Sequence, residues 1–413
     1  MNNPYENALK QIKESISHMN SENINLYERI KNPDRILEIS IPVKMDNWEI
    51  KTFKWYRSQH LDINWPYKWG IRFHQNVDKD EVKALSIWMT IKTQVIWLPL
   101  WGWKWWIIVN PKELSEWELE RLSRWFVQKI YKYIWPGLDV PAPDVNTNPK
   151  IMSYMMDEYS RLVWKYSPWS FTWKLMEVWG SEGRWEATAK WWVIVLDNIL
   201  KLNWEEIDWK NVVIQWAWNA WLTAWKLLKE KWAKITAISD SKWWIYNENW
   251  IDLEEIQKLK NEKKSVTEYK NWKKISWKEI LELKTDILVP AALENVITSE
   301  NMKNISAKII LELANWPTTK SADEYLFSKW VLIIPDILAN AWGVTVSYFE
   351  QVQNDANYYW SKSDVDERLF EKMQKASTEV YEKSQQTKTS LRNSSYIIAL
   401  ERIQKALIAR WEL

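Results

Sequence analysis

Four ionisable residues in the N-terminal half have settings in which side chains do chemistry: Lys68 in PYKWGIRFHQ, Lys92 in MTIKTQ, Lys104 in LPLWGWKWWI and Asp144 in DVPAPDV. An amine confined in a cleft near other positive charge loses proton affinity, as a base or an electrostatic catalyst requires. Lone loop lysines are ordinarily solvated, so the flanking residues decide. Around Lys104 they are Trp101, Gly102, Trp103, Trp105 and Trp106. A second constellation begins where the strand NVVIQ runs into Trp216-Ala217-Trp218-Asn219-Ala220-Trp221 and then the helical LTAWKLLKEK. Glycine at 216, 218 and 221 would make this G-x-G-x-x-G, a tight turn whose backbone N–H groups approach a pyrophosphate at a helix N-terminus. Asp240 closes the next strand, about twenty residues on, where a carboxylate can bind ribose hydroxyls. Read literally, three indoles block that loop.

Letters and chemistry agree once most tryptophans are read as glycine. The chain has 37 Trp and 6 Gly in 413 residues, whereas glycine alone averages about 7%. Asn-Trp occurs at 47–48, 64–65, 203–204, 249–250, 271–272 and 315–316, and Asn-Gly, the strongest short turn signal, nowhere. Lys231-Trp232-Ala233 falls between a helix and the strand KITAIS, where a glycine cap is expected. The Trp-Trp pairs at 105–106, 191–192 and 243–244 read as element junctions. A non-glycine residue at positive φ costs about 1–2 kcal/mol and overpacking about 1–3 kcal/mol. Over roughly thirty sites this exceeds a total stability of about 5–15 kcal/mol. The simplest cause is a gene whose UGA codons mean glycine to its owner and were translated as tryptophan. Trp88 (SIWMTIK) and Trp360 (YYWSKSD) suit a real ring.

The elements that must position these residues alternate along the chain. A helix from Glu6 to about Met19 precedes two strands joined at Asn47-Trp48, and strand and helix patterns continue to about 140, including SEWELERLSRWFVQKIYKYI. The Ser- and Pro-containing stretch 164–185 reads as a domain crossing. NVVIQW, KITAIS, ILVPAAL, KIILELAN and VLIIPD then alternate with helices, which predicts a mostly parallel sheet covered on both faces. The tail from about 364 is helical and charged, and the Lys-rich stretch Lys258 to Lys278 reads as a solvated loop. The fold class is α/β with two domains. Residues 1–180 form an α/β substrate and oligomerisation domain, 181–363 a Rossmann-type domain facing it across a cleft, and 364–413 are helices returning to the first.

With glycine restored, the segments PYKGGIRFH, LPLGGGKGGI, DVPAPDVNT, EGRGEATAKGG, IQGAGNAG, ISDSKGGIYN, LELANGPTT and PDILANAGGVTVSYFE resemble the Glu/Leu/Phe/Val dehydrogenase family, its glutamate dehydrogenases above all. The resemblance covers 64–110, 135–148, 181–192, 213–252 and 286–350. It implies NAD- or NADP-linked oxidation of L-glutamate to 2-oxoglutarate and ammonia by a homohexamer. It further implies that Lys104 activates water and stabilises the carbinolamine, that Asp144 shuttles protons to and from the substrate nitrogen, and that Lys92 binds the α-carboxylate. Lys68 and Ser347 correspond to the pair that holds the side-chain carboxylate, replaced by apolar residues in relatives using leucine, valine or phenylalanine. Thr188 and Asn340 correspond to positions around nicotinamide and substrate, Asn315 to a cofactor contact, and Trp216, Ala217, Trp218, Asn219, Ala220, Asp240 and Ser241 to the cofactor loop and ribose site. Asp240 points to NAD, while Ser241 and Lys242 suit a 2′-phosphate. Ala189-Lys190 departs from the Gly-Arg usual in relatives.

Composition excludes other classes. A formal net charge of +2 gives no reason for nucleic acid or an anionic membrane as partner. The absence of Cys excludes disulfides, thiolate metal sites and a Cys nucleophile, and fits a cytoplasmic setting. The polar N-terminus does not read as a signal peptide, and the apolar run Val95 to Val109 is too short to span a bilayer. His18, His60 and His74 lack metal spacing, so no metal is expected. Two alternatives stay open: a relative acting on leucine, valine or phenylalanine, and, if the tryptophans are real, a Trp-rich binding module without catalysis.

Overall fold

The computed structural model describes residues 3–19, 24–61, 63, 66–76, 78–135, 137–182, 184–215, 227–239, 244–262, 264–270 and 272–413. They group into two compact units: Met1–Gly183 with Gly343–Arg368 and Tyr396–Leu413, and Arg184–Trp342 with Leu369–Ser395. Residues 343–363, expected in the second domain, thus group with the first, because the helix Trp342–Ala356 is hydrogen-bonded to the 172–181 stretch through Ser347, Glu350, Gln353 and Asn354. The 364–413 tail, expected with the first domain, is divided between the units after Arg368 and Ser395.

In the first unit, α1 (Pro4–Ser17) and α2 (Ile24–Ile30) precede β1 (Arg35–Lys44), β2 (Ile50–Gln59), β3 (Tyr67–Phe73), α3 (Lys79–Val95), β4 (Trp101–Ile107), α4 (Glu116–Ile130), β5 (Asp139–Pro143) and α5 (Pro149–Val163). The sheet runs β1-β2-β4-β3-β5, with β1/β2 and β2/β4 antiparallel and β4/β3 and β3/β5 parallel. Helix starts follow local chemistry. Asp78 accepts the Glu81 N–H at 2.7 Å to begin α3, Ser115 and Glu118 form a capping box on α4, and Asn148 caps α5 ahead of Pro149. Helix α3 lies so close on β4 that a Cβ at Gly102 would stand 2.2 Å from Ser86 O and Thr90 N.

In the second unit, α6 (Arg184–Leu202) leads into β6 (Asn211–Gln215), β7 (Lys234–Ser239), β8 (Trp244–Tyr246), β9 (Lys273–Ile275), β10 (Ile287–Pro290), β11 (Ile309–Leu311) and β12 (Leu332–Ile334). Sheet order is β12-β11-β10-β6-β7-β8-β9, parallel from β12 to β7 and antiparallel for the last two pairings. Val213, Leu288, Ile310 and Ile333 contribute to its buried core. Chain order reverses between β6 and β10, the switch point at which doubly wound sheets bind ligands. The Lys258 to Lys278 stretch is not a plain loop: it carries the edge strand β9, whose lysines face solvent while Ile275 is buried. The Trp-Trp pairs also depart from expectation, since 105–106 lies inside β4 and 191–192 inside α6, and Trp243 is outside the described residues.

Tryptophan ends six helices in the left-handed conformation: Trp97 (φ 52°), Trp164 (54°), Trp204 (60°), Trp232 (55°), Trp330 (64°) and Trp411 (59°). At each, the next residue's N–H bonds back to a carbonyl of the last turn, for example Glu205 N–H to Leu200 O at 2.8 Å and Ala233 N–H to Leu228 O at 2.9 Å. This closing motif ordinarily ends in glycine. Among the described residues no helix is long and apolar enough to cross a membrane.

Candidate active site

The parallel strands β3, β4 and β5 bring Lys104 and Asp144 together. Lys104 sits mid-strand in β4 with 1% of its side chain exposed, Asp144 follows β5 with 19% exposed, and Lys104 Nζ donates to Asp144 Oδ2. Arg72 Nε donates to the same oxygen at 3.1 Å. The Asp144 N–H is held by Thr147 Oγ1 at 2.8 Å, and that hydroxyl donates to Ile71 O at 2.8 Å, which fixes the turn onto β3. Gly70 makes room: a Cβ there would stand 2.5 Å from Asp144 Cβ. Burial lowers the Lys104 ammonium to about 8 against the upward pull of Asp144, with Arg72 adding to the lowering. Burial alone would raise Asp144, but the charges of Lys104 and Arg72 outweigh it and hold the carboxyl well below the usual range. The pair is therefore a buried ion pair with the carboxylate on its accessible side.

A second cluster surrounds Lys68, which is fully buried. Its Nζ donates to Thr172 Oγ1 at 2.5 Å, Val140 O at 2.9 Å and Pro141 O at 3.5 Å, all neutral oxygens. Thr172 Oγ1 lies 2.6 Å from Ser347 Oγ, so Lys68 and Ser347 meet through Thr172. Nearby, Lys174 Nζ donates to Glu350 Oε1 at 2.7 Å, both side chains fully buried. Lys92 is buried in the last turn of α3.

In the second unit, Asn340 Nδ2 donates to Asn315 Oδ1 at 3.2 Å. Asn340 caps the short helix Asp336–Ala339, whose start is anchored by a buried cluster. Arg392 Nη2 donates to both Glu312 oxygens at 2.7 Å, Nε to Asp323 at 3.0 Å and Nη1 to Asp336 at 3.1 Å. Thr188 lies in α6, its side chain outside what is described; residues 216–221, Asp240 and Ser241 are likewise outside the described residues. What is described fits a dinucleotide. At the carboxyl end of β6, Gln215 Oε1 is buried with no hydrogen-bond partner among the described residues, as is Asn340 Oδ1, leaving acceptors for an amide or hydroxyl donor.

Thr172, Arg72, Gly70 and the Lys174–Glu350 pair went unremarked in the sequence. Arg72 and Gly70 lie within the quoted Lys68 segment, so period-two alternation beside Lys104 was their available signal; Thr172 in SFTWKL carries none. His60 is buried between Thr90 Oγ1 at 2.9 Å and Ile30 O at 2.6 Å, and burial lowers it to about 4, so it stays neutral. Among the described residues no group of His, Cys, Asp or Glu could hold a metal ion. The indoles of β4 fill both of its faces. Trp103 and Trp105 stack against Arg57, with Trp105 also against Trp55 and Phe126, while the Trp106 ring lies 4.6 Å from the Arg72 guanidinium.

Together, the units make a two-domain α/β protein whose second sheet has Rossmann-type strand order. Its sequence matches the family model described as Glutamate/Leucine/Phenylalanine/Valine dehydrogenase over residues 180–410, and that of the Glu/Leu/Phe/Val dehydrogenase dimerisation domain over 33–161. The chain belongs to the Glu/Leu/Phe/Val dehydrogenase family. It is 44% identical over 381 residues, 92% of each chain, to the NAD-specific glutamate dehydrogenase of Staphylococcus aureus strain COL. The crystal structure of glutamate dehydrogenase from Peptoniphilus asaccharolyticus superposes with a TM-score of 0.87 at 39% identity, covering 99% of both chains. The Leu-bound hetero-hexameric glutamate dehydrogenase of Thermus thermophilus gives 0.91 at 27% identity, covering 98% of this chain and 97% of that one.

Proposed function

We propose that this protein is a cytoplasmic, homohexameric glutamate dehydrogenase that converts L-glutamate reversibly to 2-oxoglutarate and ammonia, with NAD preferred over NADP. The observation that carries the reading is Lys68, a buried lysine whose partners are neutral oxygens, whose proton affinity burial pushes well below its ordinary value, and which reaches Ser347 through Thr172. A buried charge calls for an opposite one, and the side-chain carboxylate of glutamate provides it; a leucine side chain would leave it unpaired. In this scheme Lys92 binds the α-carboxylate and Asp144 takes the proton from the substrate ammonium. Lys104, its proton affinity lowered by burial, activates water against the imine and stabilises the carbinolamine. Positions 216–220 with Asp240, Ser241, Thr188, Asn315 and Asn340 would hold the dinucleotide, which when bound would supply the acceptor for the α-hydrogen as hydride.

The same reading requires glycine where the chain is written with tryptophan. Of the sixteen non-glycine residues at positive φ among the described residues, twelve are Trp. In addition, the buried indole N–H groups of Trp55, Trp101, Trp103 and Trp105 have no hydrogen-bond partner, each at a cost of about 1–3 kcal/mol. UGA codons read as glycine account for both. The Trp-rich module would use the cavity of about 500 Å³ lined by Trp209, Trp232 and Trp250, but all three are in the left-handed region. The glycine chain below carries Gly at the twelve left-handed Trp positions and at 55, 69, 101, 103, 105, 106, 185, 191, 192, 216, 218, 221, 243, 244 and 342.

The test is steady-state kinetics of the glycine chain with L-glutamate and L-leucine, each with NAD and NADP. Turnover of glutamate well above leucine is expected, and Lys68→Leu should lower kcat/KM for glutamate by roughly 100-fold or more. Preference for leucine, or indifference to Lys68→Leu, would remove the substrate assignment. UGG codons at 101, 103, 105, 216, 218 and 221 would sink the recoding.

A further inference from the structure

We infer that Lys174 and Glu350 are positioning residues that keep the charge of Lys68 available for a substrate carboxylate, an inference that rests on the glutamate reading above. Glu350 stands one helical turn beyond Ser347, on the same helix face by three-residue spacing. Its carboxylate accepts the backbone N–H of Trp173 at 2.8 Å and of Lys174 at 3.3 Å, as well as the Lys174 ammonium at 2.7 Å. Lys174 Nζ also donates to Phe171 O at 2.9 Å. Three residues of this stretch, Phe171, Trp173 and Lys174, are thus tied to one carboxylate or to its partner ammonium, and between them lies Thr172, the bridge from Lys68 to Ser347. Trp173 takes φ 64° in this stretch, so the chain bends sharply beside Thr172.

The electrostatic role follows from proximity. Burial pushes the Lys68 ammonium well below its ordinary range, Glu350 acts against this in the direction of holding the proton, and Lys174 adds to the lowering. Were Glu350 unpaired, its negative charge would cancel much of the Lys68 field inside a desolvated site, and a second carboxylate would be repelled. Paired with Lys174, it leaves the cluster of Lys68, Lys174 and Glu350 with one net positive charge whenever Lys68 holds its proton, the form that a bound carboxylate stabilises. That is the charge a dicarboxylic substrate needs at its far end, and an apolar side chain does not.

Three variants of the full-length glycine chain test this: Lys174→Met, Glu350→Gln and the double variant, each assayed with L-glutamate and with L-norvaline, which carries a methyl group in place of the distal carboxylate. Lys174→Met should raise KM for glutamate at least about tenfold, the equivalent of 1.4 kcal/mol, and lower the glutamate-to-norvaline ratio of kcat/KM. Glu350→Gln should leave KM for glutamate unchanged or lower it. The double variant, again with one net positive charge, should return KM to within about threefold of the parent. Equal losses for both substrates, or a double variant as impaired as Lys174→Met, would mean that the pair only supports the fold, and the inference fails. Thermal unfolding of each variant accompanies the kinetics. If Lys174→Met does not fold, Glu350→Gln decides alone, since a rise in glutamate KM there overturns the proposal. A parent that turns over norvaline but ignores glutamate sinks the substrate reading and this inference together; a glutamate-active parent whose variants break the charge pattern sinks the inference only.

Discussion

At the scale of single residues, Lys104 does two jobs that pull in opposite directions. Burial lowers its proton affinity to about 8, yet the Asp144 carboxylate beside it favours the charged form. With the free amine as the working form, kcat/KM for glutamate oxidation in the glycine chain rises with pH through about 8 and levels off above it; Lys104→Met removes the activity and, leaving the Asp144 carboxylate to Arg72 alone, lowers the melting temperature. A pH–rate profile and a melting curve check both. The left-handed tryptophans give a second prediction. Trp204 is 96% exposed at φ 60°, so Trp204→Gly gives up almost no packing and relieves about 1–2 kcal/mol of backbone strain. Denaturant unfolding of the glycine chain with and without tryptophan restored at 204 should show that difference, and no loss on restoring Trp204 would contradict it. Lys104, Asp144, Lys68 and Ser347 were visible in the sequence because whole segments around them carry a pattern. Thr172 and Glu350 were not, since their importance lies in contacts 104 to 177 positions apart along the chain.

At the scale of elements, the contact of α3 with β4 fixes the lysine strand. Gly102→Ala places a Cβ 2.2 Å from two backbone atoms of α3, and backbone cannot swing aside as a side-chain tip can. The helix must lift, so a loss of about 1–3 kcal/mol in stability is expected, accompanied by lowered turnover, both measurable on the purified variant. In the second unit, Arg392 joins the start of the helix Leu391–Ala409 to Glu312, Asp323 and Asp336. Replacing it with Met leaves buried carboxylates unpaired, and a loss of about 3–5 kcal/mol should appear in denaturant unfolding. Burial, against the pull of Arg392, raises the Glu312 carboxyl from an ordinary 4.5 to about 7. Its folded affinity for a proton exceeds the unfolded one, so its contribution is complete below about pH 4.5 and is lost as pH rises through about 7. Glu312→Gln should flatten stability across that window. The alternating pattern announced the parallel strands, but the reversal at β8 and the edge strand β9 were hidden: three-residue strands with lysines facing water look like loop.

At the scale of the molecule, two sheets of different kind share one chain, a mixed five-stranded one and a seven-stranded one with a parallel core. The chain enters, leaves and re-enters the first unit, which explains why linear domain boundaries placed 343–363 elsewhere. The literal chain is expected to show no glutamate turnover and the glycine chain to show it, as a hexamer by light scattering. The helix ends carry one more consequence. Trp164, Trp204, Trp330 and Trp411 are all more than nine-tenths exposed, so a protein that truly contained them would fluoresce from indoles bathed in water, at the red end of the tryptophan range. A chain with glycine at these four helix ends would lack those water-bathed indoles, and its emission would lie further to the blue. The colour of its emission would report which genetic code had made it.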